Sequence, residues 1–196
     1  MRVALITIPR SGSSFLSRQI AKKYNINHAG ELFHEKALTK KMGYEFPLTI
    51  DDSLRVWGKG NCVAKIFTRD FIHMPKAKHS LKEYEELVYG TANKIYYLYR
   101  KNTLDHLKSM ITADFTDMYS PYKEFEEVHV NITEQQLIDQ LKRIELDVKR
   151  LEELQTRYQG ETVYFEDFAT DKWKYKYNAR FYCDGKELPE NLGLNL

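Results

Sequence analysis

Six consecutive residues, Pro9-Arg10-Ser11-Gly12-Ser13-Ser14, put one arginine, one glycine and three serines into a single turn. That composition suits an anion: backbone amides and the positive end of a helix dipole gather at a helix start, glycine lets a ligand approach the backbone, and hydroxyls add donors. Arg10 contributes a permanent charge on a forked donor face. The competing reading is an ordinary strand-to-helix turn with a capping serine and a solvated arginine. Two further groups could do chemistry. Glu31, His34 and Glu35 cluster shortly after the turn, where a carboxylate or imidazole could take up a proton; a solvated helix start, rich in acids, is the alternative there. Arg100 and Ser109 lie nine residues apart, spaced so that a strand-end guanidinium and a helix hydroxyl could converge on one phosphate.

The elements that must position these residues follow from hydrophobic period. Val3 to Ile8 is an apolar, β-branched run closed by Pro9, as expected of a strand buried on both faces. Phe15, Leu16 and Ile20 make one helical stripe running to Tyr24, with Ser13 or Ser14 competent as the cap. Asn25 to Glu35 reads as a short extended piece turning at Gly30, and residues 36–60 as loops marked by Pro47, Asp51-Asp52 and Gly58/Gly60. Asn61 to Phe67 and Lys94 to Tyr99 read as core strands, and Leu81 to Tyr89 as a short helix capped by Ser80. Thr103 is positioned to cap a helix burying Leu104, Leu107, Ile111 and Phe115. Thr133 and Gln136 form a capping box for the longest helix, whose Leu137, Leu141, Ile144, Val148, Leu151 and Leu154 repeat at fours and threes. That stripe packs on a sheet or, alternatively, forms a homodimer seam. Thr162 to Phe165 is a further strand.

Alternating strands and helices predict one α/β domain over residues 1–196 with a mainly parallel central sheet flanked by helices. The 196 residues are 42% hydrophobic and 30% charged, enough for a real core, and the net charge of +2 is too small to argue for nucleic acid. The apolar run before Pro9 is too short for a signal-peptide core, and no run approaches the roughly 20 residues of a membrane span, so a cytoplasmic protein without a membrane span is expected. Cys62 and Cys183 lack metal-ligand spacing and read as reduced thiols; His73 and His79, without spaced partners, read as surface residues.

Pro9 to Phe15, following an N-terminal strand, resembles the 5′-phosphosulfate loop of the sulfotransferases that use 3′-phosphoadenosine 5′-phosphosulfate (PAPS). Arg100-Lys101-Asn102-Thr103-Leu104, with Ser109 beyond it, resembles their 3′-phosphate site, for which Lys101 is the fallback contact. The resemblance implies a P-loop NTPase-like fold and in-line transfer of a sulfuryl group to a hydroxyl on a small molecule, glycan or tyrosine, leaving adenosine 3′,5′-bisphosphate. Arg10 and the amides of Ser11, Gly12, Ser13 and Ser14 would stabilise the departing phosphate. Gly30-Glu31 resembles the family's general base, with Glu35 in reserve, and Phe15 stands at an adenine-contacting position. Where cytosolic members end a strand in Lys-Thr-His, this chain has Lys65-Ile66-Phe67, and phenylalanine cannot accept a proton. A strand-end Lys65 reads as a snorkelling surface residue that could approach the sulfuryl group. Tyr164 to Phe168 is a loose version of the family's Tyr-Glu-Asp stretch with a structural role, whereas Lys174, Lys176 and Arg180 match no family position. No metal is expected, since the transferred group carries one negative charge and no acidic ligand motif is present. Two other classes stand against this reading: a P-loop nucleotide or nucleoside kinase, disfavoured by the missing Walker lysine, and a non-catalytic nucleotide-binding module.

Overall fold

The computed structural model describes residues 1–34, 49–72, 79–116, 128–169 and 179–187. In chain order the elements are β1 (Arg2–Thr7), α1 (Ser13–Tyr24), β2 (Asn27–Gly30), α2 (Ile50–Lys59), β3 (Cys62–Phe67), α3 (Leu81–Val88), β4 (Lys94–Tyr99), α4 (Thr103–Thr116), β5 (Val128–Ile132), α5 (Glu134–Arg157), β6 (Glu161–Tyr164), α6 (Phe165–Phe168), β7 (Ala179–Cys183) and β8 (Lys186–Glu187). The chain divides into two compact units. Met1–Tyr99 with Asp147–Val163 form the first, and Arg100–Leu146 with Tyr164–Leu196 the second.

A five-stranded sheet in the order β2-β3-β1-β4-β6 organises the first unit. β1 lies parallel to both β3 and β4, and β2 parallel to β3, which is the α/β architecture expected from the sequence. Burial explains the composition of the strands. Val3, Ala4, Leu5 and Ile6 are fully buried, as are Val63, Ala64 and Ile66, so both faces of the central strands are covered. Because β2 lies to one side of β1 and β4 to the other, the chain reverses its direction of travel across the sheet at β1. The crevice beyond the carboxyl end of such a strand is where open α/β sheets place ligands.

Aromatic packing covers one face. Phe33 sits 5.3 Å from Phe71 and 6.2 Å from Trp57 between ring centroids, Phe71 stacks on Tyr84, and Tyr89 meets Tyr158 edge-on at 5.3 Å. Trp57 comes from α2, in the region read as loop. Its indole N–H donates to Thr91 Oγ1 at 3.0 Å, and a reciprocal Thr49–Asp52 capping box starts its helix. Ser80 caps α3 as expected, with Glu83 completing a capping box, and the Thr133–Gln136 capping box forms as expected. Leu151 and Leu154 of the α5 stripe are fully buried in this core, with Val148 packed against it. At α4 the expectation is half right. Asn102, not Thr103, accepts the Asp105 amide at 3.0 Å, and Phe115 is exposed.

Behind the aromatic layer Glu85, 2% exposed, is held by Arg150 and by Arg157 at 2.8 Å, tying α3 to α5. Tyr97 donates from its hydroxyl to the Leu154 carbonyl at 3.0 Å and to that of Tyr158, closing the carboxyl end of α5 onto β4. In the second unit β5 pairs parallel with β7, and β7 antiparallel with β8 through Asp184-Gly185, both at positive φ (48° and 79°). Paired positive φ values are what a tight hairpin demands.

Two outcomes follow for stability. A Cβ at Gly160 would stand 2.6 Å from the Ile95 carbonyl oxygen and 2.8 Å from the Tyr97 ring, so Gly160→Ala should lower the urea-unfolding free energy by about 1–3 kcal/mol, the usual cost of overpacking. Arg150→Leu should cost about 3 kcal/mol, because it strips a buried carboxylate of its main partner. The same unfolding series measures both.

Candidate functional site

β1 ends at Thr7, and the chain turns through Ile8–Gly12 into α1. A chain of hydroxyls builds that turn from within: Thr7 Oγ1 donates to Ser11 Oγ at 3.2 Å, and Ser11 Oγ donates to the Ile8 carbonyl. Ser11 and Thr7 are both fully buried. Ser11 therefore offers a ligand at most its amide, not the hydroxyl that the motif suggests. Gly12, at φ 80°, is the N-cap of α1, and no side chain caps the helix. Neither Ser13 nor Ser14 acts as the cap; the Phe15 amide donates to the Gly12 carbonyl at 3.1 Å, so the amides of Ser13 and Ser14 are the ones a ligand could meet in the first turn. Arg10 sits at φ 67°, a left-handed backbone that costs a residue bearing a Cβ about 1–2 kcal/mol. Such strain persists only where the surrounding structure holds it, as it does in ligand-gripping loops.

Lys65 is the residue that sequence reasoning misjudged. Instead of snorkelling to the surface, its side chain is 8% exposed and forms an ion pair with Glu31 Oε1 at 2.5 Å. Its Nζ also donates to Ser14 Oγ at 3.1 Å and stands 5.2 Å from the Phe67 ring centroid. Parallel pairing explains the placement. Lys65 is registered beside Leu5, two residues from the end of β1, so a long side chain leaving β3 reaches the start of α1. Glu31 arrives from the other side, just beyond Gly30, whose φ of 62° turns the end of β2. The loop, Lys65 and Glu31 thus form one contiguous polar site. Glu35, the reserve carboxylate, lies outside the described residues.

Two more polar groups belong to the same end of the sheet. Asp70, in the turn after β3, accepts the Phe67 amide at 2.7 Å and is 8% exposed. Burial, with the Glu31 charge adding to it, pushes its carboxyl up to about 8 against the pull of the Phe67 amide and Lys65. Asp147, 1% exposed, accepts Thr68 Oγ1 at 2.8 Å and Arg69 Nε at 2.6 Å, pinning the same turn to α5. A buried aspartate three residues past a strand end carries no sequence signal; only the fold brings it to the site. Phe15 is half-buried on α1, and Ser17 Oγ on the same helix lies 2.8 Å from His28 Nε2.

Arg100 and Ser109 belong to the second unit. Arg100 stacks its guanidinium on Phe165 at 4.7 Å, and Ser109 is buried on α4. Glu166 accepts the Lys101 amide at 2.9 Å and the Asn102 amide at 3.1 Å, while Asp167 pairs with Lys101 Nζ at 2.6 Å. The loose Tyr-Glu-Asp stretch therefore caps the start of α4, and Lys101 is committed to a carboxylate. Lys174 and Lys176 lie outside the described residues. Among those residues no helix is long and apolar enough to cross a membrane, and Cys62 and Cys183 are free thiols.

No protein-family model and no curated protein matches this chain. Among solved structures, the shikimate kinase of Bacteroides thetaiotaomicron superimposes with a TM-score of 0.52 at 12% identity, covering 91% of this chain and 94% of that one. A gluconokinase from Sinorhizobium meliloti aligns with a TM-score of 0.40 at 16% identity over 84% and 82% of the two chains. The sulfotransferase function is corrected by this result, since the fold likeness is to a shikimate kinase and lends no support to a PAPS-dependent enzyme. The physical reason is that a strand, a tight anion turn and an uncapped helix answer the demands of a phosphate as well as those of a sulfate, so the motif does not separate them. What the comparison shows is the fold: α/β, mainly parallel, and P-loop-like.

Proposed function

We propose that the first unit is the nucleotide-binding core of a phosphotransferase that moves a terminal phosphoryl group from a nucleoside triphosphate to a hydroxyl acceptor. The observation that carries this reading is the buried ammonium of Lys65 on Ser14. The chief objection to a kinase was a turn without its lysine. In this chain a cation reaches the first turn of α1 from the neighbouring parallel strand instead, 3.1 Å from Ser14 Oγ.

The division of labour follows from the geometry. Arg10 and the first-turn amides of α1 hold the phosphates, and Lys65 spreads positive charge over the group in flight, which is electrostatic preorganisation. As the bond between the terminal phosphorus and its bridging oxygen breaks, the nucleoside diphosphate leaves with that oxygen. The acceptor oxygen bonds to phosphorus and its proton passes to Glu31, which the Lys65 pair orients. Nucleotide kinases commonly take their nucleotide with magnesium. The residues here do not fit a metal held by the protein at Ser14, because an ammonium already donates to that hydroxyl, and no step is assigned to a metal.

Three measurements check this. Purified protein should convert a nucleoside triphosphate to the diphosphate in the presence of a polyol or sugar panel, followed by coupled assay and phosphorus NMR. Lys65→Ala should lower kcat/KM at least about 100-fold, the scale of losing one preorganised charge contact. Glu31→Gln should depress kcat while nucleotide affinity, read by calorimetry, stays within a few-fold. Tight binding of adenosine 3′,5′-bisphosphate with none of ATP or GTP would overturn the phosphoryl reading, and triphosphate binding without transfer to any acceptor would leave a binding module.

A further inference from the structure

His28 takes no part in the phosphate turn or in the Lys65–Glu31 pair. It lies on β2, an edge strand of the five-stranded sheet, and its Nε2 stands 2.8 Å from Ser17 Oγ on α1. Ser17 is fully buried, and its hydroxyl donates to the Ser14 carbonyl at 3.2 Å, one helical turn back. A hydroxyl carries a single hydrogen. With that hydrogen committed to Ser14, the bond to His28 is made when Nε2 carries a proton and donates to Ser17. The hydrogen bonds then run one way, from His28 to Ser17 and from Ser17 to the Ser14 carbonyl.

Ser14 is where this series meets the site. Its Oγ accepts Lys65 Nζ at 3.1 Å. Two strands therefore grip one residue at two atoms: β3 through Lys65 at the hydroxyl, and β2 through His28 and Ser17 at the carbonyl. Whereas α2 and α3 start from reciprocal capping boxes, no side chain caps α1, so lateral ties stand in for the end-on bond that fixes the other helix starts. β2 also leads through Gly30 into Glu31, the partner of Lys65. The contacts thus close a circuit from His28 through Ser17, Ser14, Lys65 and Glu31 and back along three residues of chain.

We infer that His28 is a positioning residue for the phosphate turn: by donating from Nε2 to Ser17 it fixes the first turn of α1 against β2, and so sets where Ser14 and Lys65 stand relative to Glu31. This rests on the reading of the turn as a phosphate cradle. The amides of Ser13 and Ser14 grip an anion well only if they are held in one orientation before it arrives, because ordering them on binding costs affinity. His28 acts without a charge of its own at neutral pH. Desolvation, with the positive charges of Arg18 on α1 and Lys65 on β3 adding to it, holds its imidazole below the usual histidine value. The neutral ring has one N–H, and the circuit assigns it to Nε2.

The test uses the full-length protein labelled with ¹⁵N, as wild type, His28→Leu, Ser17→Ala and the double variant. At a pH above the histidine range, the His28 nitrogen shifts should show the proton on Nε2. The Lys65 Nζ resonance, assigned by its loss in Lys65→Arg, should move in both single variants, since the hydrogen bonds lead to it through Ser14. ATP affinity, measured by calorimetry, should fall about three- to tenfold in each single variant, the scale of one hydrogen bond, and no further in the double variant, because the two residues act in series. His28→Gln, whose amide nitrogen can donate as Nε2 does, should recover most of the affinity. A proton on Nδ1 instead, an unmoved Lys65 resonance, additive losses in the double variant, or a glutamine variant no better than leucine overturns the inference. If Lys65 responds as expected but ATP binds to none of the proteins, the tie from His28 to Lys65 stands and the phosphotransfer reading falls.

Discussion

The first unit depends on an ammonium buried where ammonium groups are expensive to place. Lys65 enters from a strand whose other residues are apolar, and it is tolerable there only because Glu31 and Ser14 receive it. That requirement constrains three elements at once. β3 must end level with β1, β2 must turn at Gly30 so that Glu31 comes back over the strand end, and α1 must begin without a side-chain cap so that the Ser14 hydroxyl faces the amine. Removing any one partner would leave a desolvated charge, so the polar site and the fold that surrounds it cannot be varied separately.

Rigid support for the site comes from the opposite layer. Asp147 of α5 gathers Thr68 and Arg69, and the turn they belong to presents Asp70. Glu85 with Arg150 and Arg157 joins α3 to the same helix, and Tyr97 closes its end onto β4. A helix whose apolar stripe reads first as packing on a sheet thus spends its carboxyl-terminal half, at Leu151 and Leu154, inside the unit's own core. Its Asp147 holds the turn that follows β3, and its Arg150 and Arg157 hold Glu85 of α3.

Local signals were readable and global ones were not. β1, β3, β4, the Ser80 and Thr133 caps and the general α/β plan could be read because each rests on a short run of residue types. α2 was missed: Asp51-Asp52, Gly58 and Gly60 look like loop composition, although Thr49 and Asp52 hold a capping box at the right spacing. The hairpin at Asp184-Gly185 was also legible in principle, from the dipeptide alone. The buried state of Lys65 and the raised Asp70 could not be read, since both follow from strand register and from what covers the strand ends. The transferred group was misread because a turn of arginine, glycine and serines records only the need for an anion. Ser11 is the sharpest instance. Its type suggests a donor to ligand, yet its hydroxyl is consumed by the Ile8 carbonyl.

Arg10 occupies a backbone conformation that glycine or asparagine would adopt at little cost, while its side chain carries the turn's one guanidinium. Two criteria for choosing a residue at this position point in opposite directions. A search for thermostable variants would favour replacing it, whereas the proposed phosphate-holding role would favour keeping it, so position 10 is where stability-guided redesign would first remove the cation that the proposed function calls on.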